Sequence, residues 1–433
     1  MHPIRGVIKI ENGNIMTTLQ PVRGMHDLLP LDYRKHAVVI DHARKISEAY
    51  GFSEVATPIM EFKEVFKRTL GDVSDIVTKE MYEIADRGGE SIVLRPEGTA
   101  GVARAIISNG LTQSTPLKYF YAGPMFRYER PQKGRLRQLH QIGVELFGVS
   151  DPVGDVEVIA LAYDVLKILG LNHRITLEIN TLGDEESRKR YRDHLVAYLK
   201  DHHASLSPDS QLRLDRNPLR ILDTKDEDDK KVLKGAPLLT DSLNAFSQEM
   251  FIKIQEGLSI LQIPFKINPH LVRGLDYYCH IAFEVTTTEL GSQGTVLAGG
   301  RYDGLVSTMG GPSIPGVGWA GGIDRLAMML AEERLPPLNR PLAIVPMDEA
   351  FDMKGLELAQ RLRKQGFIVE MTYGGTVGKR LKKANKINAS YALILGEEEV
   401  SSGRVTLKNL DTGEQTQMGQ DQLETTLQGR GAL

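Results

Sequence analysis

Two segments far apart in the chain carry an arginine in a setting suited to a phosphate. In Met125-Phe126-Arg127-Tyr128-Glu129-Arg130-Pro131 an apolar and aromatic run reaches a basic loop that continues through Lys133, Arg135 and Arg137. On a strand, alternation puts Arg127 and Glu129 on one face, so that a fixed cation and a fixed acceptor look into one space. Arg127 can then hold a phosphate bidentately and stabilise charge that builds on it, while Glu129 accepts from an adenine amino group. By pattern alone the commoner meaning of such a pair is a surface salt bridge. The second segment, Leu271-Val272-Arg273-Gly274-Leu275-Asp276-Tyr277-Tyr278, runs directly into a strand. Taken alone, an Arg-Gly turn before two tyrosines is more often a packed strand entry than a site.

A third segment, Gly316-Val317-Gly318-Trp319-Ala320-Gly321-Gly322-Ile323-Asp324-Arg325-Leu326, contains a literal G-x-G-x-x-G before a helix. It follows Gly310-Gly311-Pro312-Ser313-Ile314-Pro315 instead of a strand, so the dinucleotide-binding fingerprint fails on context. Its glycines suit close approach of a ligand or backbone, with Arg325 opening the helix. Walker, nucleophile-elbow and His-Glu-x-x-His motifs do not occur. The one cysteine, Cys279, excludes an internal disulfide and a multi-cysteine zinc site, and the histidines lack ligand spacing in the sequence. No protein metal site is therefore expected; a metal should arrive with the substrate.

The chain of 433 residues, 41% hydrophobic and 25% charged, has the composition of a globular protein with two or three cores. It contains no apolar run long enough to span a membrane, and the first twenty residues lack the apolar centre of a signal peptide, so a cytoplasmic protein without membrane contact is expected. A net charge of −3 neither suggests nor excludes nucleic acid, since phosphate binding needs only a local basic face.

The elements that must position these residues are legible as periods. Residues 31–50 place Val39, Ala43, Ile46 and Tyr50 on one helical face after Pro30, and a second helix sets Ile159, Ala162, Leu166 and Leu169 before Gly170. Lys118 to Glu129 and Leu139 to Phe147 read as a hairpin with a long basic loop, and Ile175–Ile179 and Ile281–Val285 as further strands. The mixed order favours an antiparallel-rich sheet with helices. Residues from about 184 to 258 are highly charged and helical in pattern, an expected inserted helical subdomain. Arg334-Leu335-Pro336-Pro337-Leu338 breaks the preceding helix as a linker. Beyond it Leu342–Val345, Phe367–Met371 and Tyr391–Leu395 alternate with helical stretches, the pattern of a small α/β domain. Unaided, these features imply a phosphate-handling α/β enzyme.

Taken together, the segments resemble the class II aminoacyl-tRNA synthetases and, within them, the histidyl-tRNA synthetase family, from Pro21 to about Leu427. Arg23-Gly24-Met25-His26-Asp27-Leu28-Leu29-Pro30 resembles the family's opening signature. Thr57-Pro58-Ile59-Met60-Glu61 and the following helix resemble motif 1, which builds the dimer interface. Arg127 to Gly148 is similar to motif 2, Gly316 to Leu326 to motif 3, and Arg273 to Tyr278 to the histidine-specific signature, the most discriminating of these. Tyr391–Glu397, preceded by Lys379, Arg380, Lys382, Lys383 and Lys386, resembles the family's anticodon-binding domain.

The resemblance implies an α+β and α/β multidomain architecture: an extension over 1–20, an antiparallel-sheet class II catalytic domain over 21–333 with the helical insertion, a linker over 334–338, and a three-layer α/β anticodon-binding domain over 339–433. Met16 is an equally good start. The implied activity is that of a cytoplasmic homodimer which joins L-histidine to ATP as histidyl-adenylate, releases pyrophosphate, and transfers histidine to tRNA(His). Arg127 and Arg273 are the implied catalytic residues, joined in the ATP site by Glu129 and Arg325, with Mg2+ carried on the ATP phosphates. Glu97, Gly98, Thr99, Gln141, Glu145, Tyr277 and Tyr278 would hold histidine. Glu97 and Thr99 suit its ammonium group, and Glu145 its imidazole N–H. Gln132, Lys133, Arg135, Lys382 and Lys383 would meet the tRNA. Leu139 stands where this class usually stacks an aromatic on adenine, Cys279-His280 replaces the usual Thr-Gly, and Asp324 replaces Glu in motif 3. The rivals are a catalytically silent regulatory paralogue, which typically lacks the C-terminal domain, and a ligase that attaches histidine to another acceptor.

Overall fold

The computed structural model describes residues 8–429 except 12, 13, 18, 72, 73, 75, 133, 217, 225, 273–276, 292 and 293; of 8–11, 14–17, 215, 216 and 223 only the backbone is described. Arg273 and Lys133, both expected at the site, lie outside the described residues. The chain divides into two compact units, Met1–Leu335 and Pro336–Leu433.

The first unit is built on an eight-stranded sheet whose strands, in chain order, are Ser53–Glu54 (β1), Leu117–Phe126 (β2), Gln138–Phe147 (β3), Thr176–Thr181 (β4), Lys266–Ile267 (β5), Cys279–Thr286 (β6), Thr295–Arg301 (β7) and Gly316–Gly322 (β8). Their spatial order is β5-β4-β6-β7-β8-β3-β2-β1, antiparallel throughout except where the two-residue edge strands β5 and β1 pair in parallel. Three helices cover one face: α1 (Pro30–Ala49), α3 (Pro152–Ile168) and α4 (Ala245–Ile260), while α2 (Thr99–Ser108) lies between them in sequence. Helix α1 begins on a proline at its first turn, and α3 begins where Asp151 accepts from the Val153 amide with Pro152 next to it. Period two on β3 sends Ile142, Val144 and Leu146 into the core under these helices and leaves Gln141, Gly143 and Glu145 on the opposite face. In the same core Trp319 is buried and donates from its indole N–H to Val158 O at 3.1 Å.

The hairpin expected from the sequence forms, but β2 stops at Phe126, short of the pair that was to share its face. Past the Arg127 N–H to Arg137 O bond the chain leaves the ladder, and the Tyr128 amide turns to Glu80 O at 2.7 Å. Glu129 N–H then donates to Arg127 O at 2.7 Å, so a tight turn, not pleat alternation, sets both side chains. The literal glycine fingerprint is itself a strand, β8, followed by a short helix, α5 (Ile323–Met329), with Arg325 in its first turn.

The charged segment is helical, as its pattern implies, and buries its own cluster around Tyr191, Leu195, Leu199, Ile221 and Leu239. The expected extent to 258 needs correction: α4 places Phe251, Ile254 and Leu258 in the principal core under the sheet, because its apolar face continues where the charged run ends.

The second unit carries strands Leu342–Pro346 (β9), Val369–Met371 (β10), Tyr391–Leu395 (β11), Arg404–Asn409 (β12) and Gln415–Gly419 (β13) in the order β10-β9-β11-β12-β13. Helices α6 (Asp352–Lys364) and α8 (Leu423–Gly429) pack on one face, and α7 (Val377–Lys386) joins Ala343, Val345 and Ala392 on the other, which makes three layers. The last two strands form a hairpin that the sequence reading left unassigned. Among the described residues no helix is long and apolar enough to cross a membrane.

Candidate active site

A cleft with a cavity volume of about 180 Å³ opens on the sheet face opposite α1, α3 and α4. Its wall combines Gln141 and Leu139 of β3, Thr295 to Ala298 of β7, Ala320 and Gly322 of β8, the turn carrying Arg127 and Glu129, and Tyr277 and Tyr278 ahead of β6. Glu97, Thr99, Arg135, Asp324 and Arg325 complete it. Folding thus gathers into one hollow most of the residues singled out from the sequence.

At one end guanidinium groups converge. Arg127 donates from Nε to Pro96 O at 2.9 Å and keeps Nη1 4.0 Å from Glu129 Oε1. Arg135 pairs with the other oxygen of the buried Glu129 carboxylate. Arg325 donates to Gly134 O at 2.9 Å and to Thr295 O at 2.5 Å. Burial first, and then the Arg135 and Arg127 charges against the pull of Glu129, hold the Arg325 guanidinium below its usual pKa. Three cations around one carboxylate form a site with positive charge to spare, suited to an anion that brings several charges. Arg135 pairs with Glu129 while its side chain stays exposed, and Gln132 is exposed on the same loop.

The other end is a cluster of acids and hydroxyls. Glu97 is buried and accepts from the amides of Thr99 at 2.7 Å and Ala100 at 2.8 Å, capping the start of α2. Burial still raises its pKa, the amide bonds acting against this. Gln141 shows the clearest vacancy for a partner: its Oε1 is buried without a hydrogen bond among the described residues. An unmet acceptor in a cleft wall costs stability and awaits a donor.

Glu145 shares the face of Gln141, yet it is fully buried and is not part of the cleft surface. Its Oε1 accepts from Thr99 Oγ1 at 2.6 Å and from the Tyr121 hydroxyl at 3.2 Å, and its Oε2 from the Tyr302 hydroxyl. Burial pushes its pKa to about 8 against these hydrogen bonds. Tyr121 and Tyr302 are functional candidates that the sequence reading missed; neither stands in a signature segment, and only the pairing of β2 with β3 brings Tyr121 to this carboxylate.

Two glycines make that arrangement possible. A Cβ on Gly98 would stand 2.3 Å from the Tyr121 ring, so Gly98 lies behind the wall and makes room for this tyrosine instead of touching the cleft. A Cβ on Gly318 would stand 2.1 Å from Glu145 Oε2, and β8 can therefore pass the acid only as backbone. Beneath the cleft, Arg301 and Asp155, both fully buried, form a two-point pair at 2.9 and 2.6 Å that ties β7 to α3.

In the second unit Lys382 and Lys383 are exposed on α7, the latter contacting Tyr373 O. Arg380, part of the same basic run, is instead fully buried against Asp352 at 2.5 Å.

A mostly antiparallel sheet backed by helices, with an arginine-and-acid cleft on its open face and a separate three-layer α/β unit, defines a class II aminoacyl-tRNA synthetase architecture. A family model described as histidyl-tRNA synthetase matches residues 24–326, and one described as anticodon binding domain matches residues 342–430. The histidine–tRNA ligase of Rhodospirillum rubrum is 56% identical over 412 residues, 95% of this chain and 99% of the relative. Apo histidyl-tRNA synthetase of S. aureus matches with a TM-score of 0.79 at 33% identity, covering 94% of this chain and 99% of that one. A Bacillus halodurans C protein described as an ATP phosphoribosyltransferase regulatory subunit/histidyl-tRNA synthetase matches at a TM-score of 0.59 and 25% identity over 81% of this chain and 92% of its own. The chain belongs to the histidyl-tRNA synthetase family.

Proposed function

We propose that the cleft activates L-histidine with ATP and that the chain then transfers the histidyl group to tRNA(His), as a histidine–tRNA ligase. The observation that carries this reading is the joining, in one cleft, of the Arg127, Arg135 and Arg325 cluster with the Glu97, Thr99 and Gln141 wall. The substrate carboxylate attacks the α-phosphate of ATP, the bond to the outer phosphates breaks, and pyrophosphate leaves. Negative charge concentrates between two anions, and Arg127, with Arg273 of the histidine signature, neutralises it. Arg325 holds the outer phosphates or the adenine face, where Leu139 offers packing but no aromatic ring. Glu129 accepts from the adenine amino group. Magnesium enters with ATP as part of the substrate.

Glu97 and Thr99 receive the histidine ammonium, Gln141 offers its unmet oxygen, and Tyr277 and Tyr278 close the pocket. Glu145 acts on the imidazole through the hydroxyls of Thr99, Tyr121 and Tyr302, whose directions it sets. A pocket that must satisfy buried polar groups rejects analogues lacking them by roughly 10⁴ to 10⁵, so no editing step is needed. Lys382 and Lys383, with Gln132 and Lys133 of the hairpin loop, supply phosphate and base contacts to the tRNA.

Pairing of two chains through the motif 1 segment is part of this proposal, supported by exposed Ile59, Met60 and Phe62, and so is a cytoplasmic location. A regulatory paralogue is disfavoured because the chain carries a second unit and spans nearly the full length of a histidine–tRNA ligase relative. Histidine-dependent exchange of pyrophosphate into ATP, followed by charging of tRNA(His) against a pool lacking it, tests the reading. Exchange without charging would indicate another acceptor, and absence of exchange would remove the enzyme reading altogether.

A further inference from the structure

Bordering the cleft at Asp324, on the side facing α1, the fold assembles a group of side chains that sequence spacing kept apart. His36 comes from α1, His140 from β3 and Asp324 from the first turn of α5. Their nearest ligand atoms all lie within 4.8 Å of one another. Asp324 Oδ2 accepts the His140 backbone N–H at 2.6 Å, which fixes the carboxylate and turns Oδ1 toward both rings. Oδ1 stands 3.3 Å from His140 Nδ1 and 3.6 Å from His36 Nε2.

As a hydrogen-bonded triad this arrangement is poorly made, since 3.6 Å is beyond hydrogen-bond range. The same separations suit a different use. Bonds of about 2.0–2.1 Å to nitrogen and oxygen at a tetrahedral metal put neighbouring ligand atoms roughly 3.3 Å apart. The two imidazoles meet edge to face, with centroids 5.2 Å apart at 79°. His36 and Asp324 also line a cavity with Asp32, Lys35 and His26, which provides an entry path and room for a water as fourth ligand. The neighbouring cation does not compete for the point, because the Arg325 guanidinium is drawn to Gly134 O and Thr295 O.

We propose that His36, His140 and Asp324 form a divalent transition-metal site, with zinc the natural occupant, that ties α1 to the strand bearing Gln141 and to the helix bearing Arg325. The backbone bond to Asp324 is the outer support that metal-bound carboxylates require. Ligand softness selects the class: two imidazoles and one carboxylate favour zinc, cobalt or nickel over magnesium or calcium.

The test uses full-length protein freed of metal with a chelator and titrated with Co2+, read by visible d–d absorption. Saturation at about one equivalent with the intensity of a tetrahedral site, displacement by Zn2+, and loss of the signal in His36→Ala are expected. Zn2+ should raise the thermal midpoint of the wild type by several degrees and leave that of His36→Ala unmoved. His36→Gln gives the same readout should the alanine variant fail to fold. Absence of stoichiometric binding, or wild-type binding by the His36 variants, would overturn the proposal. So would a sulfur-to-cobalt charge-transfer band, because that would locate the ion at the other three-residue group, Cys279, His280 and Asp303. Neither result depends on aminoacylation, so the site can fail while the proposed function stands.

Discussion

The two units of this chain handle charge in opposite ways. Under and around the cleft, Glu97, Glu129, Glu145, Asp155 and Arg301 are all buried, and each is held by hydroxyls, amides or a guanidinium. In the second unit the core is Leu342, Ile344, Leu393, Leu395 and their neighbours, its buried arginine is bound to Asp352, and the lysines stand on the surface. Burying a charge costs several kcal/mol unless it is paired, and the first unit carries that cost at more positions around its site than the second, where Arg380 is buried on Asp352. A surface that meets an extended polyanion needs no such interior. It works by many exposed cations, each individually weak.

The contrast can be broken most severely under the cleft. Asp155→Ala removes the two-point partner of buried Arg301 and leaves Asp303 at 3.1 Å as its remaining carboxylate, and a loss of about 3 kcal/mol is expected from urea unfolding of the first unit; a loss below about 1 kcal/mol would show that Asp303 and water replace the carboxylate easily. Arg127→Ala should slow histidine-dependent pyrophosphate exchange about a hundredfold, near 2.7 kcal/mol, with an unchanged urea midpoint. Arg273→Ala should act alike. Gly98→Ala drives a methyl into the Tyr121 ring and should cost about 1–3 kcal/mol while raising KM for histidine more than KM for ATP.

Glu145 offers a pH test with a defined sign. Its pKa rises on folding from an ordinary 4.5 to about 8, so the folded state holds its proton more tightly than the unfolded chain. The stability this contributes is complete below the ordinary value and is lost as pH climbs through that window. Glu145→Gln, which cannot ionise, should therefore show a flatter thermal midpoint over the same range; equal slopes would mean that the carboxylate stays charged. The smallest effect belongs to the second unit. Lys382→Ala with Lys383→Ala should leave pyrophosphate exchange intact and reduce the salt dependence of tRNA binding by a slope of about 0.7–0.9 per lost phosphate contact.

Much of this was legible before folding. Helices α1 and α3, strands β2, β3, β4 and β6, and the change of period past residue 338 follow from where apolar residues fall, since each element must bury one side whatever its neighbours are. Residue types also marked Arg127 and Arg325, because a fixed cation has a restricted set of uses, whereas Glu97, Thr99 and Gln141 were marked by the family resemblance alone. Only the tertiary structure decided that Glu145 lies behind Thr99, Tyr121 and Tyr302, that Gly98 serves a neighbouring ring, that Arg135 pairs with Glu129, and that His36, His140 and Asp324 bring ligand atoms within 4.8 Å of one another. The reason is range. Periodicity and motif spacing report along one strand or helix, whereas these contacts join residues tens to hundreds of positions apart, and their existence depends on sheet order, which no local pattern encodes.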